Sequence, residues 1–218
     1  MAAADKATGH RFPDLSQEAV LQADGFLRVA GVDEAGRGAW AGPLVAGAVI
    51  LPDGDAPDLS GWLAVRDSKM LTHEQREAAF ETILTQARAV GVGSVAPDEI
   101  DLLGLTAANE LAMARAIRSI SPAPDALLVD AFLLHSVPLP QRALIRGDAR
   151  SLSIAAASIV AKVTRDRWMA AFAEIYPGYG FEQHRGYGVA LHQAALRRHG
   201  PTPIHRLSYA PLRALTGA

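Results

Sequence analysis

Asp33 and Glu34 stand side by side at the end of an apolar stretch and run straight into Gly36-Arg37-Gly38. As plain structure the run is poor, because a strand hides one of two adjacent acids and exposes the other, and glycines weaken it. As a site it is coherent. The acids can hold a divalent cation, and the glycines let backbone amides approach a ligand closely. Asp130 closes the apolar run Ala126–Asp130, and Asp148 follows Ile145-Arg146-Gly147. Four carboxylates drawn together repel one another and raise each other's pKa values. With no cysteine in the chain, any metal must be held by carboxylate or imidazole. A pair of hard divalent ions relieves the repulsion, and Mg²⁺ suits an all-oxygen donor set. Two such ions roughly 3.5–4 Å apart can activate a water and stabilise the leaving oxygen of a phosphodiester.

These acids meet only if the right elements carry them. A first strand is expected over Phe26–Asp33 and a second over Pro43–Leu51. Thr72 with Gln75 is a capping-box signature that starts a helix running to about Arg88. A third strand, Ala89–Val95, is interrupted by Gly91 and Gly93. A short helical turn at Pro97–Leu103 and a helix over Leu105–Ile120 follow. Ala126–Asp130 reads as a buried central strand and Ala143–Arg146 as a fifth. Ser151 or Ser153 caps a long helix to about Ile175, and a further helix is expected near Val189–Arg198. This order predicts an α/β layered fold around one mixed sheet. If the first and fourth strands are parallel neighbours, Asp33 and Asp130 share one sheet edge, where open α/β sheets bind ligands. Asp148 joins that edge from the start of the long helix.

The chain has 218 residues, half of them apolar and 6% aromatic, which suits one globular domain. No run reaches the ~18 apolar residues of a membrane span, and Met1–Asp24 has no apolar signal-peptide core, so a cytoplasmic protein is expected. The net charge of −2 conceals an asymmetry. Residues 1–140 carry 10 Lys+Arg against 19 Asp+Glu (−9), and residues 141–218 carry 11 against 4 (+7). A metal-binding acidic part beside a polyanion-binding basic part is the implied arrangement.

Six segments in register over roughly residues 26–213 resemble bacterial ribonuclease HII. They are Gly31-Val32-Asp33-Glu34-Ala35-Gly36-Arg37-Gly38, Asp67-Ser68-Lys69, Val129-Asp130, Gly147-Asp148, Lys162-Val163-Thr164-Arg165-Asp166, and His184-Arg185-Gly186-Tyr187 with His205-Arg206. The resemblance implies a ribonuclease H-like fold, a five-stranded mixed sheet flanked by helices with a C-terminal helical extension. Residues 1–25, which lack a convincing periodic pattern, are expected to form a loose lead-in ahead of a catalytic core (26–175) and the extension (176–218). The resemblance implies Mg²⁺- or Mn²⁺-dependent hydrolysis of RNA in RNA/DNA hybrids. It also implies incision 5′ to single ribonucleotides in duplex DNA, leaving 3′-hydroxyl and 5′-phosphate ends. Apart from the resemblance, a monomer is the default and no membrane partner is expected. On the same resemblance, Asp33, Glu34, Asp130 and Asp148 become the catalytic, metal-binding acids. Gly36, Arg37 and Gly38 read the ribose 2′-hydroxyl, and Tyr187 stacks on the adjoining deoxyribose. Only the 2′-hydroxyl separates RNA from DNA at a nucleotide, and an aromatic face against a deoxyribose is crowded by an added hydroxyl.

The supporting residues stay open on sequence alone. Lys162 and Arg165 form either a solvated helix face or phosphate contacts. Lys69 reaches a phosphate or caps a loop, and Arg146 pairs with Asp148 or faces the substrate backbone. His184, His192, His199 and His205 are spaced by 8, 7 and 6, which puts no two on one helical turn and argues against zinc. Trp40, Trp62 and Trp168 are expected to pack, and Asp67, Asp98 and Asp101 to lie on the surface or cap. Met70 stands where the family commonly has a second lysine, and Ala131-Phe132 where Gly-Asn often follows the third acid. Two other chemistries fit the sequence less well. A 2′-hydroxyl nucleophile served by histidines needs no acid cluster, and a non-catalytic hybrid-binding protein predicts a lost acid, of which there is none.

Overall fold

The computed structural model describes residues 12–53, 60–62 and 64–216. Its helices are α1 (Ser16–Ala23), α2 (His73–Gln86), α3 (Pro97–Leu103), α4 (Leu105–Ser119), α5 (Leu152–Ile175), α6 (Phe181–His184), α7 (Ala190–His199) and α8 (Ala210–Thr216). Its strands are β1 (Val29–Ala35), β2 (Leu44–Ile50), β3 (Ala89–Val95), β4 (Ala126–Asp130) and β5 (Gln141–Leu144). The strands form one mixed sheet in the order β3-β2-β1-β4-β5. β1 pairs antiparallel with β2 and parallel with β4, and β4 pairs parallel with β5. Among the described residues no helix is long and apolar enough to cross a membrane.

Both faces of the sheet are covered, which is why β2 is buried at every position. One layer is α4, packed on Val32, Leu44, Ala46, Ala48 and Val129. The other is α5 with α2, where Ala156, Ile159 and Val160 meet Val49, Phe80 and Ile83. Close helix–sheet approach explains the glycines inside the strands. A Cβ on Gly31 would stand 2.1 Å from Ser153 C, and one on Gly93 would stand 2.2 Å from Ala112 O. Gly91 and Gly93 therefore do not interrupt β3, which pairs with β2 along its whole length.

Three expectations need correction. β1 begins at Val29 and continues through the acids to Ala35, because β2 supplies partners there (Glu34↔Ala46, Ala35↔Val45). β5 lies at Gln141–Leu144 rather than Ala143–Arg146. As an edge strand it buries only Leu144, while the apolar Ile145 is 75% exposed. The lead-in expected over residues 1–25 is ordered where it is described. Leu21 of α1 packs with Val29, Leu128 and Ile154. Glu18 is buried, and its Oε1 accepts from Ser151 Oγ (2.6 Å), Ser153 Oγ (2.7 Å) and Ser153 N (2.9 Å). Residues 1–11 lie outside the described region.

Ser151 also caps α5, accepting from Ile154 N, and the Thr72–Gln75 capping box starts α2 as its sequence predicts. Beyond α5, the chain packs Phe181, Leu196, Ile204 and Leu212 with Met169 of α5 and Ala41 into a separate apolar cluster. That packing carries the C-terminal segment to the loop following β1.

Candidate active site

The parallel pairing of β1 with β4 puts Val32 opposite Val129, so Asp33 and Asp130 follow as neighbours on adjacent strands. Gly147 N donates to Asp130 Oδ1 at 2.7 Å. This bond draws the 3₁₀ turn Gly147–Ala149, and with it Asp148, onto the same edge. Strand alternation sends Asp33 toward α5 and Glu34 toward α4. Ser158 of α5 lies beside the one and Asn109 of α4 beside the other. The topology thus brings together all four acids singled out in the sequence.

The electrostatics are those of a site held ready for positive charge. Asp33 is pushed well above the ordinary aspartate range, first by burial and then by Glu34 and Asp130. Glu34 is raised mainly by burial, against the lowering influence of Asn109 and Arg37. Asp148 is raised by burial and by Asp67, with Lys69 opposing. Burial alone would lower the Lys69 ammonium, but Asp148, Asp67, Asp33 and Asp130 outweigh it and raise its pKa. Its Nζ stands 3.6 Å from Asp148 Oδ2 on a side chain that is 80% exposed. The donor set is entirely oxygen, which suits Mg²⁺ or Mn²⁺. Among the described residues no three acid or histidine side chains stand grouped so as to hold a metal ion as they are; the acids line an edge. Asn109 is buried, and neither of its amide atoms completes a hydrogen bond of normal geometry. The apolar periodicity of α4 conceals this residue from sequence reading.

The loop after β1 is fastened from behind by two buried guanidinium groups. Arg165 donates from Nε to Pro43 O and from Nη2 to Ala41 O, both at 3.0 Å. Arg206 donates from Nη1 to Arg37 O (3.1 Å) and from Nε and Nη2 to Gly42 O (3.0 and 2.9 Å), while Tyr209 OH donates to Arg37 O (2.7 Å). With these carbonyls turned inward, the amides of Arg37 and Gly38 have no acceptor among the described residues. Gly36 has φ +91°, and its missing Cβ leaves room for Arg165 Nε, 2.0 Å from where that carbon would be. A Cβ on Gly38 would meet nothing within 4 Å. One glycine serves the fold and the other leaves an open approach.

Arg165 requires a correction. It is fully buried, so it cannot meet a phosphate; burial lowers its pKa to about 10, still far above neutral pH. Its guanidinium lies 5.4 Å from the Tyr187 ring centroid, so it links the glycine loop to Tyr187. Lys162 Nζ pairs with Asp166 Oδ1 at 2.8 Å and lies 5.9 Å from the same ring. Ser158 and Lys162 are one helical turn apart, about 6 Å, so one face of α5 runs from the acids toward half-buried Tyr187. Arg146 is exposed, has a left-handed φ of 55°, and makes no ion pair with Asp148 among the described residues. Asp67 caps a 3₁₀ turn by accepting from Lys69 N, and Asp101 accepts from Leu207 N and Ser208 N. Both are the capping acids the sequence suggests.

A five-stranded mixed sheet with carboxylates gathered at one edge and a helix layer on each face defines the ribonuclease H-like class of nucleases. The Pyrococcus horikoshii ribonuclease H2 crystal structure superposes with a TM-score of 0.74 at 28% identity, covering 87% of this chain and 97% of that one. The structure of Bst-RNase HIII in complex with Mn²⁺ shares the fold, with a TM-score of 0.66 at 20% identity over 88% and 70% of the two chains. The sequence profile described as Ribonuclease HII matches residues 30–212. The ribonuclease HII of Chloroflexus aurantiacus is 52% identical over 202 residues, covering 92% of this chain and 94% of its own. The chain belongs to the ribonuclease HII family and is a hydrolase of the ribonuclease H type.

Proposed function

We propose that the protein is a metal-dependent endoribonuclease that hydrolyses RNA in RNA/DNA hybrids. It incises 5′ to single ribonucleotides in duplex DNA, leaving 3′-hydroxyl and 5′-phosphate ends, and works as a monomer in the cytoplasm. The observation that carries this reading is the convergence of Asp33, Glu34, Asp130 and Asp148 beside a glycine loop whose outer amides have no acceptor among the described residues. Core (26–175) and extension (176–218) act as one domain in this account, because the extension supplies Arg206 and Tyr187 to the loop.

Asp33, Glu34, Asp130 and Asp148 would hold the ions through their carboxylate oxygens. Bound Mg²⁺ or Mn²⁺ supplies an activated water for in-line attack and charge stabilisation at the departing 3′-oxygen. The chain's own residues do the rest. The amides of Arg37 and Gly38 donate to the ribose hydroxyl, which Gly38 lets approach without a side chain in the way. The Tyr187 ring covers the neighbouring deoxyribose and leaves no room for a 2′-hydroxyl there. Lys69, Arg146 and Lys162 face the phosphate backbone from the rim, where contacts add affinity rather than sequence preference. Arg165 holds loop and ring in place.

The test is Asp130→Asn. The amide oxygen can still accept from Gly147 N, so folding and hybrid binding are expected to persist while Mg²⁺- or Mn²⁺-dependent cleavage falls at least a thousandfold. Cleavage at the wild-type rate would remove Asp130 from the site.

A further inference from the structure

His184, His192 and His205 are buried together behind Tyr187, and no step of the proposed reaction uses them. His184 and His192 stack at 4.6 Å with planes 14° apart, enclosed by Phe181 and Trp40. Their hydrogen bonds fix the proton on each ring. Thr202 N, which can only donate, reaches His205 Nδ1 at 2.8 Å, so a neutral His205 carries its proton on Nε2. That Nε2 lies 3.0 Å from His192 Nε2, which must then accept, leaving the His192 proton on Nδ1. His192 Nδ1 in turn lies 3.0 Å from the carbonyl oxygen of Tyr187. Gly186 N likewise donates to His184 Nδ1, so His184 Nε2 donates to Tyr179 O at 2.7 Å. Every ring nitrogen of the three has a partner, so the cluster offers no open position to a metal.

The relay joins the two halves of the recognition surface. His205 bridges to Ala41, and Arg206 N donates to Trp40 O. On the other side, Trp40 N and Ala41 N donate to Gly186 O, next to Tyr187. We propose that His192 and His205 are positioning residues for substrate discrimination: their relay of neutral imidazoles holds the Tyr187 carbonyl, and so sets the ring's height relative to Gly36–Gly38. The proposal rests on the reading of Tyr187 as the residue that covers the deoxyribose. Burial lowers both imidazoles to about 4, so both are neutral where the enzyme works and the relay is intact.

Two experiments test it. In wild-type protein at pH 7, imidazole ¹⁵N shifts should show opposite tautomers, with the proton on Nδ1 in His192 and on Nε2 in His205. The same tautomer in both overturns the relay, whatever any variant does. The second is a double-mutant cycle of His192→Phe with Tyr187→Ala, assayed on a duplex with one ribonucleotide and on a uniform RNA/DNA hybrid. His192→Phe should lower kcat/KM at least tenfold on the former and no more than threefold on the latter. In the Tyr187→Ala background it should add less than a twofold loss on either substrate. His205→Gln, whose amide can still donate to His192 Nε2, should recover most of the junction activity that His205→Leu loses. Equal losses on both substrates, or losses that multiply in the double variant, overturn the positioning role alone. Full junction cleavage by Tyr187→Ala overturns the reading of Tyr187 and takes this proposal with it.

Discussion

Gly36 and Gly38 are two residues apart, yet alanine at each should do opposite things. At Gly36 the new Cβ would stand 2.0 Å from Arg165 Nε and 2.5 Å from its Cδ, and the backbone is left-handed. That conformation costs an L-residue about 1–2 kcal/mol. Arg165 is fully buried and cannot yield without leaving Pro43 O and Ala41 O; two hydrogen bonds from a charged donor contribute about 1.5–3 kcal/mol each. Gly36→Ala should therefore destabilise by about 4–8 kcal/mol, comparable with the whole stability of many domains. At Gly38 the Cβ meets only open space, so Gly38→Ala should change stability by less than about 0.5 kcal/mol. It should still reduce cleavage at a single ribonucleotide at least tenfold, about 1.4 kcal/mol in the barrier, because the methyl occupies the approach to the sugar. Urea unfolding and cleavage of a single-ribonucleotide duplex measure the two effects. Gly36→Ala within 1 kcal/mol of wild type would refute the role given to Arg165. Gly38→Ala with undiminished cleavage would refute the role given to the loop amides.

Further outcomes follow from the same geometry. Glu18→Ala leaves the hydroxyls of Ser151 and Ser153 without their shared acceptor and should cost about 2–4 kcal/mol, lowering the calorimetric Tm by roughly 5–15 °C; an unchanged Tm would mean that α1 does not brace α5. Mg²⁺ should raise the Tm of wild type at pH 7 by relieving the repulsion among the buried acids, and Asp33→Asn should abolish that increase. His192 and His205 have folded pKa values of about 4 against an ordinary 6.5. Between those values the unfolded chain binds more protons, so their contribution to stability is complete above pH 6.5 and is lost as pH falls toward 4. The stability advantage of wild type over His192→Phe should shrink by about 1–2 kcal/mol across that window, read by urea unfolding at fixed salt.

How far the sequence could be read follows from where each signal lies. The acids were legible because carboxylates at the ends of apolar runs have no packing explanation, and β4 matched its prediction because a buried parallel strand is a continuous apolar run. β5 lies two residues before the apolar pattern suggests, because an edge strand buries one residue and the apolar Ile145 sits just past it. The order of α1 depends on one buried acid, Glu18, and two serines more than 130 positions away, a pairing that no local pattern reveals. Arg165 read as surface because a charged residue in a helix normally is, and only the missing Cβ of Gly36 makes room for it inside. Spacing along the chain argues against the histidines as metal ligands but does not show that three of them meet. Their actual arrangement comes from α6, α7 and the segment before α8 folding together.

Whether the protein is a metal-dependent ribonuclease that reads a single ribose is decided by cleavage of an end-labelled DNA duplex containing one ribonucleotide, in Mg²⁺, Mn²⁺ or EDTA with the product ends mapped. Cation-dependent incision is expected on the 5′ side of the ribonucleotide, leaving a 3′-hydroxyl and a 5′-phosphate, with none in EDTA. Cleavage confined to long hybrids, or a cyclic phosphate formed in EDTA, would contradict that reading.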